Sequence, residues 1–180
     1  MNTTTPTIID RIEHEGSAAL LDTWLDAMRD GTDLDGTELK AIALNFGFGT
    51  RALRDTILIA TVSEDVTDDE LRILISRPRT PEARDITNRR LNEAFHNEPG
   101  PRVRRRGDWA RRQLERAAEP WLRDELEDRR AVGTQPLAAA AYVAWFAQRD
   151  PVTAGEQALR VLSIDEHNTL ARIIISLITQ

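Results

Sequence analysis

Thr56-Ile57-Leu58-Ile59-Ala60-Thr61-Val62 is the stretch on which the fold class turns. A run this rich in β-branched side chains suits a buried strand as readily as a helix. The residues before it decide: Leu53, Ile57 and Ala60 keep a three-to-four spacing, so one apolar stripe runs through the segment and predicts a helix. Ile173-Ile174-Ile175-Ser176-Leu177-Ile178 poses the same question, and Leu170, Ile174 and Leu177 answer it the same way. Two isolated strands at such a distance would also make an unusual sheet. The expectation is an all-α protein, a single multi-helix domain of about nine or ten helices.

Working outward, helix start signals recur along the chain. Ser17 precedes an apolar stripe through Leu21, Trp24, Leu25 and Met28 that Asp30-Gly31 stops. Asp35 with Glu38 and Thr67 with Glu70 have capping-box spacing, and Thr80-Pro81 places a cap before a first-turn proline. Glu98-Pro99-Gly100-Pro101 interrupts whatever precedes it, because two prolines withhold backbone donors. Beyond it, Asp108 is expected to cap Trp109 to Ala118, Pro120 to start Trp121 to Arg129, and Gly133-Thr134-Gln135-Pro136 to lead into a C-terminal hairpin. The resulting division is a disordered tail over 1–7, a helical part over 8–98, an arginine-rich linker with helices over 99–135 and C-terminal helices over 136–180, all within one domain.

The chain has 180 residues, no cysteine and a net charge of -6. That length buries a core without staples, and the absence of cysteine removes any disulfide framework. No apolar run reaches the length of about 18 residues that a membrane span needs, so no membrane is expected. Met1-Asn2-Thr3-Thr4-Thr5-Pro6 lacks the basic and apolar blocks of a secretory signal, which predicts a cytoplasmic protein. Lys40 is the single lysine against many arginines, a bias that points to GC-rich coding, as in actinobacteria and their bacteriophages.

From Ala141 to Asn168 the pattern of small and large residues resembles a tetratricopeptide helical hairpin. Trp145 supplies the aromatic of the first helix, Asp150 marks the turn, Pro151 opens the second helix, and Ala154 is the small contact at the crossing. Tyr142 and Glu166 stand where that repeat usually has glycine and proline. The same segment, with Ala52-Leu53-Arg54-Asp55 upstream, resembles the C-terminal half of domain of unknown function family 4192, an actinobacterial group. The matching features are Arg54-Asp55, Trp145-Phe146-Ala147-Gln148-Arg149-Asp150, Ala158-Leu159 and Ile164-Asp165. The likeness spans roughly Glu38 to Leu177 and lacks that family's usual N-terminal α/β half; the family's function is unknown, so it implies packing rather than chemistry.

Arg102, Arg104, Arg105, Arg106, Arg111, Arg112 and Arg116 form the strongest local charge feature, with Trp109 inside it and Trp121 beyond. Guanidinium groups neutralise phosphates, so a nucleic-acid contact is one reading. A solvated face neutralised by Asp108, Glu115, Glu119, Asp124, Glu125, Glu127 and Asp128 is the other. Trp109 and Trp121, flanked by charges, are expected to line a partly exposed groove, whereas Trp24 and Trp145 belong to the core.

Other motifs point less far. Ile42 to Phe48 followed by Ala52-Leu53 imitates a DNA-binding helix-turn-helix, but Ile57-Leu58-Ile59 is too apolar to lie in a groove. Asp33-Leu34-Asp35-Gly36 has Gly31 and Ile42 at positions where a calcium loop needs ligands, so Asp35 reads as a helix cap. Glu64, Asp65, Asp68, Asp69 and Glu70 suit a helix dipole better than a metal. His14, His96 and His167 have no ligand spacing, and Ser17 and Ser63 lack a nucleophile context. No cofactor or metal is expected. The leading expectation is a non-enzymatic helical protein that binds another protein near the arginine-rich segment and the C-terminal hairpin. The alternatives are a nucleic-acid-binding module using Arg102 to Arg116 and an enzyme with an unrecognised site; self-association is a further option for a terminal repeat-like helix.

Overall fold

Both β-branched runs are helical. A computed structural model describes the backbone of residues 8–179 and the side chains of residues 16–179; the tail expected over residues 1–7 and the side chain of His14 lie outside them. Among the described residues there are nine helices and no strand: α1 (Ile8–Asp30), α2 (Gly36–Phe48), α3 (Ala52–Val62), α4 (Asp68–Ser76), α5 (Pro81–His96), α6 (Pro101–Leu122), α7 (Glu127–Gln148), α8 (Pro151–Leu162) and α9 (Thr169–Ile178). The protein is all-α, built around one continuous apolar core.

The caps expected at α2, α4 and α5 form, and Asp150, expected to mark the turn before Pro151, caps α8 as well. Asp35 accepts from the Thr37 and Glu38 amides while Glu38 accepts from the Asp35 amide, and Thr67 with Glu70 repeats the arrangement at α4. Thr80 accepts from the Ala83 amide and Asp150 from the Thr153 amide, each followed by a proline in the first turn. Caps of this kind stabilise a helix by about 1 kcal/mol.

α6 and α7 make the central pair. Gly107, early in α6, lies against Ala147, late in α7, and Gly133, early in α7, lies against Ala118 and Leu122, late in α6, so the two run antiparallel. α7 also touches α2, α3, α8 and α9. That position explains its composition: Ala138, Ala139, Ala140, Ala141, Ala144 and Ala147 are all fully buried, and only small side chains let so many helices approach one axis. α1 packs on α3 and α4, and α5 on α4 and α3.

Four expected boundaries are corrected. Ser17 lies inside α1, buried, where its hydroxyl accepts a hydrogen bond from Asn45 Nδ2 of α2 at 3.0 Å instead of capping. Asp108 is an interior residue of α6, which begins at Pro101, and Pro120 sits in the last turn of the same helix rather than opening another. Gly133-Thr134-Gln135-Pro136 runs through the interior of α7, so the division at 135 and 136 falls inside a helix. Pro136 has no N–H to offer the Val132 carbonyl, a loss of about 3 kcal/mol in an isolated helix. Burial of most of α7 on several sides outweighs it.

Glu70 does more than cap. Its carboxylate, 13% exposed, also accepts from Arg90 Nη2 at 2.7 Å and from Arg89, tying α4 to α5, while Arg90 reaches the Asp65 carbonyl and Glu93. Burial pushes the Glu70 pKa up, but the bonds from Arg90, the Thr67 amide and Arg89 outweigh it and hold the pKa at about 2 against an ordinary 4.5. Because the folded value lies below the unfolded one, this stabilisation is complete above the unfolded pKa and disappears as pH falls towards 2. Urea unfolding followed by circular dichroism should show stability dropping between about pH 5 and pH 2. Glu70→Gln should be less stable at pH 7 by about 1–3 kcal/mol and less sensitive to acid.

Candidate arginine-lined cleft

α6 turns Val103, Gly107, Ala110, Leu114 and Ala118 towards the core, which leaves arginines on its remaining sides. The expected cluster does not stay together. Arg104 donates to the Pro99 carbonyl at 3.0 Å, Arg111 pairs with Glu115 at 2.6 Å, and Arg116 donates to Gln113 Oε1 at 2.8 Å and lies 3.3 Å from Asp33. Arg102, Arg105 and Arg112 have no ion-pair partner among the described residues, in contrast to those three.

Two of these free cations, Arg102 and Arg105, share a cleft of about 430 Å³ with Arg106 and Trp109 of α6, the end of α1 and the start of α4. Leu25, Met28, Val66 and Leu71 give it apolar lining, and Arg29, Asp30 and Asp68 complete its charged rim. Arg29 is already engaged by Asp26 at 2.9 Å. Arg106 is half-buried and donates to the Ser63 carbonyl. Burial, and then the charge of Arg102 one turn away, pull its pKa below the usual arginine value against the opposing pull of Glu64 and Asp65. An anion entering the cleft therefore meets two exposed guanidinium groups and relieves the repulsion between Arg102 and Arg106.

The tryptophans are distributed differently from the expectation. Trp109 is 4% exposed: its ring meets Trp24 edge-on at 4.8 Å, and Nε1 donates to the Thr32 carbonyl at 2.9 Å. A ring held in this way cannot serve as an open stacking surface, which corrects its assignment to an exposed groove. Trp121 is half-buried against the core, as is Trp145, while Trp24 is fully buried. Arg111, Arg112, Arg116 and Trp121 lie farther along α6 and do not line the cleft.

The remaining motifs find structural partners. α3 buries Ala52, Leu53 and Thr56 to Val62, so no recognition helix is available there. Asp33 Oδ1 accepts from Gln113 Nε2 at 2.7 Å. Among the described residues no group of three or more His, Asp or Glu side chains could hold a metal ion, and no helix is long and apolar enough to cross a membrane. Sequence reasoning missed Arg29, which reaches the cleft from the end of α1, and Gln113, which is fully buried; both look like ordinary surface residues in the chain. The chain matches no protein-family model, no curated protein and no solved structure.

Proposed function

We propose that this is a non-enzymatic helical interaction protein of a high-GC bacterium or its phage, acting in the cytoplasm and gripping an acidic, partly apolar segment of another protein. The observation that carries the reading is the cleft itself, where exposed Arg102 and Arg105, neither in an ion pair among the described residues, share a lining with the apolar side chains of Leu25, Met28 and Leu71. Apolar lining with a cationic rim suits a peptide that alternates acidic and hydrophobic side chains. Nucleic acid is a poorer fit, because a phosphate backbone wants a row of free cations, whereas Arg104, Arg111 and Arg116 are held by their own chain. A tetratricopeptide-like pairing of helices at the C-terminus would offer a second contact through Val152, Leu159 and Ile173, which are exposed on α8 and α9.

The test compares the wild-type chain with the double variant Arg102→Glu, Arg105→Glu as immobilised bait. Both residues are exposed, so the fold should survive and circular dichroism should not change. A partner recovered by the wild type should bind the variant at least about tenfold more weakly and release with rising salt. Repeated failure of the wild type to recover any partner, or equal recovery by both baits, would sink the reading. Duplex DNA binding at low salt that the double variant abolishes would replace it with the nucleic-acid alternative.

A further inference from the structure

A larger cleft, of about 720 Å³, opens on another part of the molecule between the α2–α3 junction, the end of α4 and α5. We infer that it is a binding site for a small phosphomonoester carrying a flat ring, with a nucleoside monophosphate as the matching chemical class. Independent features converge there. Phe48 at its edge is 74% exposed, the most exposed large apolar residue described. Gly49 follows with extended backbone; a side chain at that position would meet the Asn45 carbonyl at 2.6 Å, so the chain leaves α2 in a tight turn there.

Arg51 and Arg79 line the same cleft, both exposed and neither with an ion-pair partner among the described residues, whereas the neighbouring Arg54 and Arg77 are matched to Asp55 and Glu82. Asp55 also lines the cleft, but Arg54 holds it through Nε and Nη2 at 2.9 and 2.7 Å and neutralises it. α3 starts here without a side-chain cap, and the first amide hydrogen bond of that turn runs from Asp55 to the Arg51 carbonyl. The amides of Ala52, Leu53 and Arg54 find no acceptor among the described residues, the arrangement that favours an anion.

Thr56 points to a ligand independently of that helix end. It lines the cleft, is 1% exposed, and its Oγ1 has no hydrogen-bond partner among the described residues. Hydroxyls inside helices can donate one turn back, as buried Thr61 does to the Ile57 carbonyl at 2.8 Å and half-buried Thr87 to the Ala83 carbonyl at 2.9 Å. Thr56 forgoes that bond, leaving a buried, unsatisfied hydroxyl in the wall of the cleft. Arginine pairs and free amides select a phosphate dianion, the exposed phenylalanine selects a flat ring, and the volume falls within the range of small-molecule sites, about 300–1,000 Å³.

Isothermal titration of the full chain with AMP, GMP, CMP and UMP, and with inorganic phosphate as the ring-free probe, tests the proposal. At least one nucleotide should bind more tightly than phosphate. Arg51→Ala with Arg79→Ala should weaken it by about tenfold or more, and Phe48→Ala should bring it down to the level of phosphate. Thr56→Val keeps the shape and removes the hydroxyl; it should fold as well as the wild type yet bind several-fold more weakly. The double variant Arg102→Glu, Arg105→Glu should bind nucleotide as the wild type does, which separates this site from the protein-binding cleft. The absence of heat with all four nucleotides up to about 5 mM, affinity for phosphate equal to that for nucleotide, full binding by the Arg51 and Arg79 variant, undiminished binding by Thr56→Val, or loss of binding in the Arg102 and Arg105 variant would each overturn it.

Discussion

Trp24→Ala is expected to destabilise the protein by about 3–5 kcal/mol, a large share of the 5–15 kcal/mol that holds a typical domain together. Trp24 is fully exposed to neighbours and not at all to water, and its ring packs edge-on against Trp109 at 4.8 Å. Its indole N–H is buried without a partner among the described residues, so the residue contributes through packing and not through hydrogen bonding. Truncation leaves a cavity next to Trp109 and frees that ring from one wall of its slot. The effect should reach the cleft, because α1 supplies Leu25, Met28 and Arg29 to it and Trp109 lines it too. Trp24→Phe should destabilise less, since it keeps most of the contact and removes an unsatisfied donor. Urea unfolding of the three proteins, read by circular dichroism, measures the series. A loss below about 1 kcal/mol for Trp24→Ala would mean that α1 is not anchored through this ring.

Much of this framework could be read from the chain. Leu53, Ile57 and Ala60 carried enough helical periodicity to overrule the β-branched composition around them, and all three are buried in α3. Capping boxes were legible because their partners lie three residues apart, where local geometry alone decides whether the bonds form. Gly133 and Pro136 misled for the opposite reason. Their local preference is to break a helix, and what overrides it is the burial of α7 by helices distant in sequence.

The candidate site was half legible. Arginine density drew attention to α6, but which arginines remain free depends on Pro99, Glu115 and Asp33, and only Glu115 sits at a helical spacing that the sequence reveals. Trp109 looked exposed because charged residues flank it in the chain. Along a helix, chain neighbours point about 100° apart, so Asp108 can face solvent while Trp109 and Ala110 face the core. Phe48 and Arg51 stood out only as parts of an imitated helix-turn-helix and Arg79 not at all, since scattered arginines and one aromatic acquire this meaning only when α3, α4 and α5 bring them to a common cleft.

Gly133→Leu should be the other strongly destabilising change, by about 3 kcal/mol or more, at the top of the range for overpacked cores. A Cβ at Gly133 would lie 2.9 Å from the Ala118 carbonyl oxygen and 2.8 Å from Leu122 Cγ, and backbone cannot step aside as the end of a side chain can. Even Gly133→Ala meets that obstacle, so its helix-propensity gain of about 1 kcal/mol should be more than cancelled. Gly107→Ala tests the far end of the same crossing, where the new Cβ would meet Ala147 Cβ at 2.5 Å. Gly155 is the control: it also lies within a helix, but its added Cβ would find only Ile178 Cδ1 at 3.6 Å, an ordinary contact. Gly155→Ala should therefore stabilise by up to about 1 kcal/mol. Opposite signs for one substitution at positions of one residue type would follow from the close approach of α6 and α7. If Gly107→Ala and Gly133→Ala raised the melting temperature as Gly155→Ala does, the central pair would have room to spare, and the alanines of α7 would need another explanation.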